Sequence, residues 1–413
     1  MYRVQRAVRG REAGFTLAEL TVSLAVTVLL ALSILEVFDF NNRLSRVQTH
    51  ITEMQQSLRS AQYELARQLR MAGRGGLPQS VAIAVRNNVG LAGSQGNILV
   101  GVGGSPLVAR GTDVIIMRGV VSTSVYQVNY SDSTVFTAPD ASGRGTLVLT
   151  DPGPTGVHQD LTPYQNLLGS GSTPAVHDAL VMVSPTGDAQ YAVVEIDPAA
   201  STVVINRDGA GNVLSGNATL SFLWTNGVHT DAYKTLYNSA GGFPLTRAAA
   251  VGILEEYRFY IRDVPAAAGA VGSASNPTLS MARVFPGSEV AYRDDNDNLH
   301  VEIADDIVDL QAALGIDTNG DGVITGAPTP TATDEWLYND PADGVLTGTL
   351  EYIRVSTLAR TQRPDSGYNA PPLAPLEDHD YGNPPSPLNA VGGPDRHYRR
   401  RVLQTVIDLR NLG

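Results

Sequence analysis

The pattern of apolar and polar positions divides the chain into an N-terminal helical part and a longer part with strand-like alternation. Residues 15–35 form an almost uninterrupted apolar run, about the 20 residues that a helix needs to cross a bilayer. Four arginines precede this run, and the positive-inside tendency therefore predicts that residues 1–14 face the cytoplasm. One carboxylate, Glu19, lies inside the run. Because a charge in such a segment is costly, we expect Glu19 to have a partner.

The helical pattern continues beyond the apolar run as an amphipathic stripe. Apolar residues recur at spacings of three and four, and polar residues occupy the other faces. The stripe consists of Leu44, Val47, Ile51, Met54, Leu58, Ala61, Leu65, Leu69 and Ala72. Glycines and a proline in residues 73–78 end it. The pattern predicts one long helix, with a membrane half at residues 15–40 and an amphipathic half at residues 41–76. A coiled-coil dimer is the alternative to packing on a globular head.

From about Val81 onward, short β-branched segments with a period of two alternate with clusters of Gly, Pro, Asn and Asp. This pattern is typical of antiparallel sheets joined by hairpins. The predicted strands are Asp113–Val120, Val125–Tyr130, Ala192–Ile196, Thr202–Ile205, Glu256–Ile261, Leu350–Ser356 and Val402–Leu409. Ile303–Leu314 fits either a helix or a strand. The predicted fold class is therefore α+β, with a long N-terminal helix packed on a large antiparallel β-rich head at residues 77–413. The proline-rich residues 364–395 are expected to form a long loop.

Composition narrows the function classes. The chain has 413 residues, no cysteine and a net charge of −12, so a disulfide framework is excluded and bulk attraction to nucleic acid is not expected. The sequence contains no Gly-x-Ser-x-Gly elbow, no His-Glu-x-x-His and no phosphate-binding loop. We therefore expect a protein that is not an enzyme and does not bind nucleic acid.

The residues around Gly14 allow three interpretations of the N-terminal segment. An ordinary secretory signal cleaved near Ser33 and a plain signal anchor are two of them. The third follows from the run Gly14–Glu19 (GFTLAE), which resembles the cleavage and methylation motif of type IV prepilins. The resemblance implies cleavage after Gly14 by a prepilin peptidase and N-methylation of Phe15. It also implies that Glu19 pairs with the charged amino terminus of a neighbouring subunit, which offsets the cost of burying both charges.

Motifs in the second half of the chain resemble the PilW branch of the minor pilins. They are Leu254–Tyr257 (LEEY), Tyr260–Asp263 (YIRD), Val308–Gln311 (VDLQ), Ile353–Ser356 (IRVS) and the C-terminal Tyr398–Leu412, whereas residues 85–250 match no family motif. The resemblance implies a type IV pilin-like fold and a minor pilin that helps to initiate assembly at or near the tip of a pilus. It implies a location in the inner membrane with the head in the periplasm, and then in the surface fibre.

The resemblance also implies partners. These are other minor and major pilins, bound through the N-terminal helix, and the prepilin peptidase; a tip adhesin is a further candidate. Two alternatives stay open. One is a J-type minor pseudopilin of a type II secretion system, which shares the same N-terminus. The other is a calcium-braced tip module for adhesion or binding.

Residues 317–328 follow the spacing of a calcium loop. Such a loop needs oxygen ligands at its first, third and fifth places, a glycine at the sixth, here Gly322, and a backbone carbonyl at the seventh. The candidate ligands are Asp317, Asn319, Asp321, Val323 through its carbonyl, and Thr325. Pro328 stands at the twelfth place and cannot supply the usual carboxylate, so Asp334 or Glu335 would replace it if the loop folds back. The loop predicts a structural Ca²⁺; the alternative is a tight turn without metal.

A second acidic cluster, Asp294–Asn298, lies between two predicted strands and lacks the glycine of a calcium loop. We expect it to be a solvated hairpin turn, and no site is assigned to it.

Processing of the N-terminus can be tested by the intact mass of the mature protein. We expect the mass of the chain without residues 1–14 plus one methyl group, because the prepilin motif implies both cleavage after Gly14 and methylation of Phe15. A mass that retains residues 1–14, or one that corresponds to cleavage near Ser33, would contradict the prepilin interpretation.

Overall fold

The computed structural model describes residues 16–89, 108–109, 111–152, 156–169, 179–185, 190–224, 242–264, 276–286, 300–326, 335–338, 348–382 and 394–409. Contacts within the chain divide it into two units, with the boundary between Glu53 and Met54. This boundary falls inside the predicted amphipathic half of the helix, residues 41–76. The predicted leader, residues 1–14, and the acidic cluster Asp294–Asn298 lie outside the described residues.

The N-terminal helix α1 runs from Leu17 to Leu69. It is long and apolar enough to cross a membrane. All residues from Leu17 to Arg46 are exposed, although most of the first 24 of them are apolar. In water such a surface is unfavourable, so it requires an apolar environment.

The last turns of α1 carry the predicted stripe into the second unit. Met54, Leu58, Ala61, Leu65 and Leu69 are all buried, with exposed fractions between 0% and 5%. The earlier stripe residues are less covered: Leu44 is 45% exposed and Val47 and Ile51 are only partly buried. The packed part of the stripe therefore begins one to three turns later than the periodicity suggests.

The helix ends at Leu69, three residues before Ala72, the last residue of the predicted stripe. Gly73, Gly75 and Gly76 follow the last turn with φ values of 76°, 99° and 85°, a region that side chains other than glycine rarely adopt. A Cβ atom on Gly75 would lie 2.5 Å from Val120, so the chain can pass this close to the sheet only with glycine at that position.

The first sheet of the head is antiparallel and is built from β1 to β11. The strands are β1 (Ile83–Arg86), β2 (Val114–Gly119), β3 (Tyr126–Gln127), β4 (Phe136–Thr137), β5 (Arg144–Asp151), β6 (Ala179–Val183), β7 (Tyr191–Arg207), β8 (Val213–Leu223), β9 (Ala250–Val264), β10 (Asn276–Val284) and β11 (Val301–Asp305). Their order is β1-β2-β9-β6-β7-β8-β5-β4; β3 and β10 also pair with β9, and β11 pairs with β10. Two short helices, α2 (Gln79–Ala82) and α3 (Thr162–Gly169), accompany them.

The second sheet has the order β13-β12-β14-β15 and is also antiparallel. Its strands are β12 (Ile307–Asp317), β13 (Trp336–Leu337), β14 (Thr349–Arg360) and β15 (Arg400–Asp408). Helix α1 is tied to this sheet by a buried polar side chain, because Nε2 of Gln62 donates to Thr357 Oγ1 at 2.8 Å and to the carbonyl of Leu403 at 3.1 Å. These hydrogen bonds explain why a glutamine lies within an otherwise apolar helical face.

The helical reading of Ile303–Leu314 is wrong, because this segment forms the end of β11 and most of β12. Asp306 separates the two strands with a φ of 59°. Strand β12 is buried along almost its whole length. A strand that is covered on both faces does not alternate, which is why its apolar positions also fitted a helical spacing.

The other predicted strands are found with changed bounds. Val125–Tyr130 shortens to the two residues of β3, whereas Ala192–Ile196 and Thr202–Ile205 are one strand, β7. The register of β7 on β8 shifts between Asp197 and Thr202, and this irregularity accounts for the break in the sequence pattern. The α+β class, with a long N-terminal apolar helix and a large antiparallel head, is confirmed.

Candidate functional site

Glu19 caps the start of α1. The backbone N–H and the hydroxyl of Thr16 each donate to Oε2 of Glu19 at 2.9 Å, and the N–H of Glu19 lies 3.3 Å from Thr16 Oγ1. This is a capping box, which satisfies backbone donors that a helix N-terminus leaves free. The sequence signal for it, Thr-x-x-Glu before an apolar run, was present but was not interpreted. Gly14 and Phe15 lie outside the described residues, so their roles stay predictions.

The surface next to Glu19 is apolar on every side of the helix. Leu17, Leu29 and Phe38 are 83%, 65% and 64% exposed. Exposure of large apolar side chains all round a helix is typical of segments that lie in lipid or among other helices, rather than of an amphipathic surface helix.

The predicted calcium loop is folded on its own carboxylates. Asp317 Oδ1 accepts from the N–H groups of Asn319 and Gly320, and its Oδ2 accepts from Gly322 at 2.8 Å. Oδ1 of Asn319 accepts from the N–H of Asp321, and Oδ1 of Asp321 accepts from the N–H of Val323, each at 2.8 Å. Gly320 and Gly322 have φ values of 77° and 75°, as the sharp turn requires.

Glu335 folds back onto this loop, as one of the two residues proposed to replace Pro328. Its carboxylate accepts from the N–H and hydroxyl of Thr318 at 3.0 and 2.8 Å, and from the N–H and hydroxyl of Thr325 at 2.8 and 2.9 Å. These hydrogen bonds, that from the backbone of Thr325 first, lower the pKa of Glu335 to about 2. Glu335 therefore closes the loop through hydrogen bonds to two threonines. Pro328 and Asp334 lie outside the described residues.

The loop offers only oxygen donors, which is the kind of donor set that calcium takes. However, the described residues include no group of three acidic or histidine side chains placed to hold one metal ion. The hydrogen bonds of Asp317 and Glu335 show that the loop can also hold its shape as a metal-free turn. Calcium at Asp317, Asn319, Asp321, Val323 and Thr325 stays a prediction.

The family-like motifs place charged side chains inside the head. In Leu254–Tyr257, Glu256 is fully buried and pairs with Arg118 at 2.7 Å and with Arg258 at 2.8 Å. Burial alone would raise the pKa of Glu256, but the two arginines together lower it. Glu255 accepts from the N–H groups of Val121 and Ser122 at 2.9 and 2.6 Å. This motif therefore fixes β9 against β2 and the segment that follows it.

A second buried ion pair joins the proline-rich segment to the second sheet. Glu377 is 4% exposed, has a φ of 53° and accepts from Arg354 at 2.5 Å and from Ser356 Oγ at 2.7 Å. Gln404 on β15 donates to the same carboxylate at 2.8 Å. Sequence reasoning missed Glu377, because it lies among prolines far from its partners. The available signal was Arg354, a charged residue in a strand that otherwise reads as buried.

Comparison with known proteins gives a family match in the second half of the chain. Residues 258–411 match the family model described as PilW, Type IV Pilus-assembly protein W. No curated protein matches the chain. Among solved structures, a type IV-like pilin from Thermus thermophilus aligns with 9% identity and a TM-score of 0.20, covering 62% of this chain and 99% of that one.

The protein is thus an α+β chain with an apolar N-terminal helix and an antiparallel head. The family match confirms the PilW resemblance over residues 258–411, which include β10 to β15, the calcium-like loop and the buried Arg354–Glu377 pair.

Because of Glu335, we expect the stability of the head to depend on pH in the acidic range. Its carboxyl has a lowered pKa, so its contribution is present above its ordinary value of 4.5 and is lost as the pH falls toward about 2. We expect Glu335→Gln to lower the melting temperature at neutral pH and to reduce the further loss between about pH 5 and pH 2.5.

The matched control is Glu351→Gln, on β14 and outside the loop, which should leave the acid dependence as it is in the unchanged protein. Thermal melts followed by circular dichroism across this pH range would measure both variants. An acid dependence that is equally steep in Glu335→Gln and in the unchanged protein would contradict the role of Glu335.

Proposed function

We propose that this protein is a minor pilin of a type IV pilus that helps to initiate assembly and lies at or near the fibre tip. The observation that carries the proposal is the apolar surface of α1 at residues 17–35, which is exposed and has one carboxylate, Glu19, near its start. The match of residues 258–411 to a pilus-assembly family supports the same function.

The exposed apolar surface would be covered in two different ways, one before assembly and one after it. Before assembly the lipid of the inner membrane would cover it, since a helix satisfies its own backbone hydrogen bonds there. After assembly the equivalent helices of other pilins would cover it. Such a transfer moves the helix between two apolar surroundings, so it does not carry the cost of exposing apolar side chains to water.

Glu19 would guide this transfer. In the isolated chain its Oε2 caps the helix through Thr16, with 2.9 Å contacts. In the fibre the carboxylate would pair with the methylated amino terminus of a neighbouring subunit, after cleavage at Gly14. Inside an apolar helix bundle this ion pair is favourable, because each charge would otherwise be buried without a partner.

The head supports a tip position over a place in the shaft. Residues upstream of the family match supply β1 to β8 and the start of β9, which is most of the wide first sheet, in addition to the smaller sheet of β12 to β15. A shaft repeats one subunit at close spacing, which disfavours a large head. A J-type pseudopilin of a secretion system, or a tip module for adhesion, would use the same α1 and differ in what the head contacts.

The test is deletion of the gene, scored in parallel for surface fibres and for secreted enzymes. We expect fibres to be lost while secretion stays normal, because initiation of pilus assembly would fail. Normal fibres with secretion lost would contradict the pilus assignment and favour the pseudopilin. Normal fibres with adhesion lost would favour the tip binding module.

Complementation of the deletion separates the roles of Glu19. Glu19→Ala should not restore fibres, whereas Glu36→Ala, which removes an exposed carboxylate farther along the same helix, should. Thr16→Ala removes the capping hydroxyl but keeps the carboxylate, so it should restore fibres to a large extent. Equal loss with Thr16→Ala and Glu19→Ala would mean that Glu19 acts only as a helix cap.

A second proposal is that the loop at residues 317–326 binds calcium and braces the head. It is favoured by Glu335, which folds back onto the loop and supplies the carboxylate that Pro328 cannot. Asp317, Asn319 and Asp321, with the carbonyl of Val323 and Thr325, would hold the ion.

Replacement of Asp317 and Asp321 by Ala should lower the melting temperature in calcium and have a smaller effect in chelator. The physical reason is that an ion bound only by the folded state adds stability that grows with the logarithm of its concentration over its dissociation constant. Equal loss in calcium and in chelator would leave a metal-free turn as the correct interpretation.

A further inference from the structure

Residues 364–382, which we call the strap, join the two sheets of the head. At its middle, Glu377 pairs with Arg354 on β14 and accepts from Gln404 on β15. The next residue, Asp378, accepts from the side-chain amides of Asn87 and Asn88, which follow β1 in the other sheet. The strap therefore contacts both sheets within two residues.

The C-terminal end of the strap contacts a buried aspartate of the second sheet. Asp309 on β12 is 1% exposed, and its Oδ2 accepts from the hydroxyl of Tyr381 at 2.5 Å. His379 stacks on Tyr381 with ring centres 4.4 Å apart and places Nδ1 3.6 Å from the same carboxylate oxygen. Oδ1 of Asp309 accepts from Nε2 of Gln311 at 2.9 Å.

The amide nitrogen of Gln311 lies within hydrogen-bond distance of more atoms than it has hydrogens to donate. Its Nε2 lies 3.1 Å from the carbonyl of Gly111, 2.9 Å from Asp309 Oδ1 and 3.0 Å from His379 Nδ1, yet an amide nitrogen carries only two hydrogens. Gln311 is fully buried, and its Oε1 has no hydrogen-bond partner among the described residues. With a neutral ring, His379 Nδ1 can accept from Gln311. With a protonated ring it must donate, and the acceptor beside it is Asp309.

Further acids face this cluster from neighbouring elements. Asp113, just before β2, is fully buried and accepts from the N–H groups of Asn88 and Ala312 at 2.9 and 2.8 Å. Burial, and then the charge of Asp378, raises the pKa of Asp113 well above its ordinary value. Burial likewise raises the pKa of Asp309, although the ring of His379 and the hydroxyl of Tyr381 oppose the shift. Burial, and then the charge of Asp309, raises the pKa of Tyr381, and the charge of Arg400 opposes this shift.

We propose that the strap is a proton-dependent latch: the Asp113–Asp309–His379 cluster holds its Tyr381 end closed while the cluster keeps an added proton, and this end loosens when the proton passes to water. A closed strap holds the buried carboxyls of Asp113 and Asp309 beside the imidazole of His379, and full loss of protons leaves two mutually repelling carboxylates beside a neutral ring. A carboxyl whose pKa is raised by docking stabilises the docked state at low pH, and this contribution is lost as the pH rises through the raised value. Glu377 remains paired with Arg354, so only the far end of the strap would open. The latch is a property of the head and does not depend on the proposed pilus function.

Hydrogen exchange of the full chain in detergent would test the latch. The reporters are the N–H groups of Leu376 and His379, which each donate to the other residue's carbonyl at 3.0 Å. After correction for intrinsic exchange rates, we expect their protection to fall about tenfold between about pH 5 and pH 8, the change that a shift of one pKa unit gives. Equal protection at both pH values would overturn the proposal.

Two variants distinguish the latch from general loosening of the head. Asp309→Asn keeps the size of the side chain and removes its proton exchange, and His379→Gln keeps a polar group without a titrating ring. Each should flatten the pH dependence. Asp365→Asn, at the opposite end of the strap where Asp365 pairs with Arg399 at 2.9 Å, should keep it. If Asp309→Asn does not fold, as judged by far-ultraviolet circular dichroism, His379→Gln decides. An unchanged pH dependence in the folded variant would overturn the latch.

Discussion

The exposed apolar surface of α1, as it stands among the described residues, is the constraint on which the proposed assembly depends. The residues of α1 from Leu17 to Leu35 are mostly apolar and all exposed, and Glu19, near the N-terminus, is the one carboxylate among them. Burial of a large apolar side chain is worth about 1.5–3 kcal/mol, so a surface of this length strongly favours association with lipid or with other helices. Within the chain Glu19 serves as a helix cap, and an assembly role would use the same carboxylate for an intermolecular charge. The two roles are compatible in sequence because the residue that caps the helix is also the one nearest the predicted new amino terminus.

Buried charged pairs organise the head in a different way. Arg118, Glu256 and Arg258 join β2 to β9, while Arg354 and Glu377 join β14 to the strap. Such pairs add little net stability compared with apolar packing, but removal of one partner leaves an uncompensated buried charge. They therefore enforce one arrangement of strands and strap. Several of them lie in the motifs that carry the PilW resemblance, which gives those motifs a structural explanation.

The sequence predicted the elements whose pattern is local. The stripe of α1, the glycines after Leu69 and most strands follow from spacing alone, because one face of each element is buried and the other is not. Ile303–Leu314 could not be assigned, since β12 is covered on both faces and loses its alternation. The depth to which α1 packs could not be predicted either, because Val47 and Met54 look alike in sequence, although Met54 is buried and Val47 is only partly buried.

The candidate sites also contain features that the sequence predicts and features that it does not. The spacing of residues 317–325 predicted a loop that the structure folds on Asp317, but only the structure shows that Glu335 folds back onto this loop. Glu377 and His379 lay beyond sequence reasoning, because their partners are distant along the chain and a proline-rich segment carries no periodicity. Capping by Thr16 and Glu19 was local and could have been predicted.

In the proposed fibre, other helices cover the N-terminal part of α1. The chain has no cysteine, so a single cysteine can be introduced as a reporter at Ser33 and, as control, at Tyr63, which is 71% exposed. In purified fibres a water-soluble maleimide should label Tyr63→Cys and leave Ser33→Cys unlabelled, and denaturation should make both react. Labelling of Ser33→Cys in intact fibres, or absence of the protein from them, would contradict the claim.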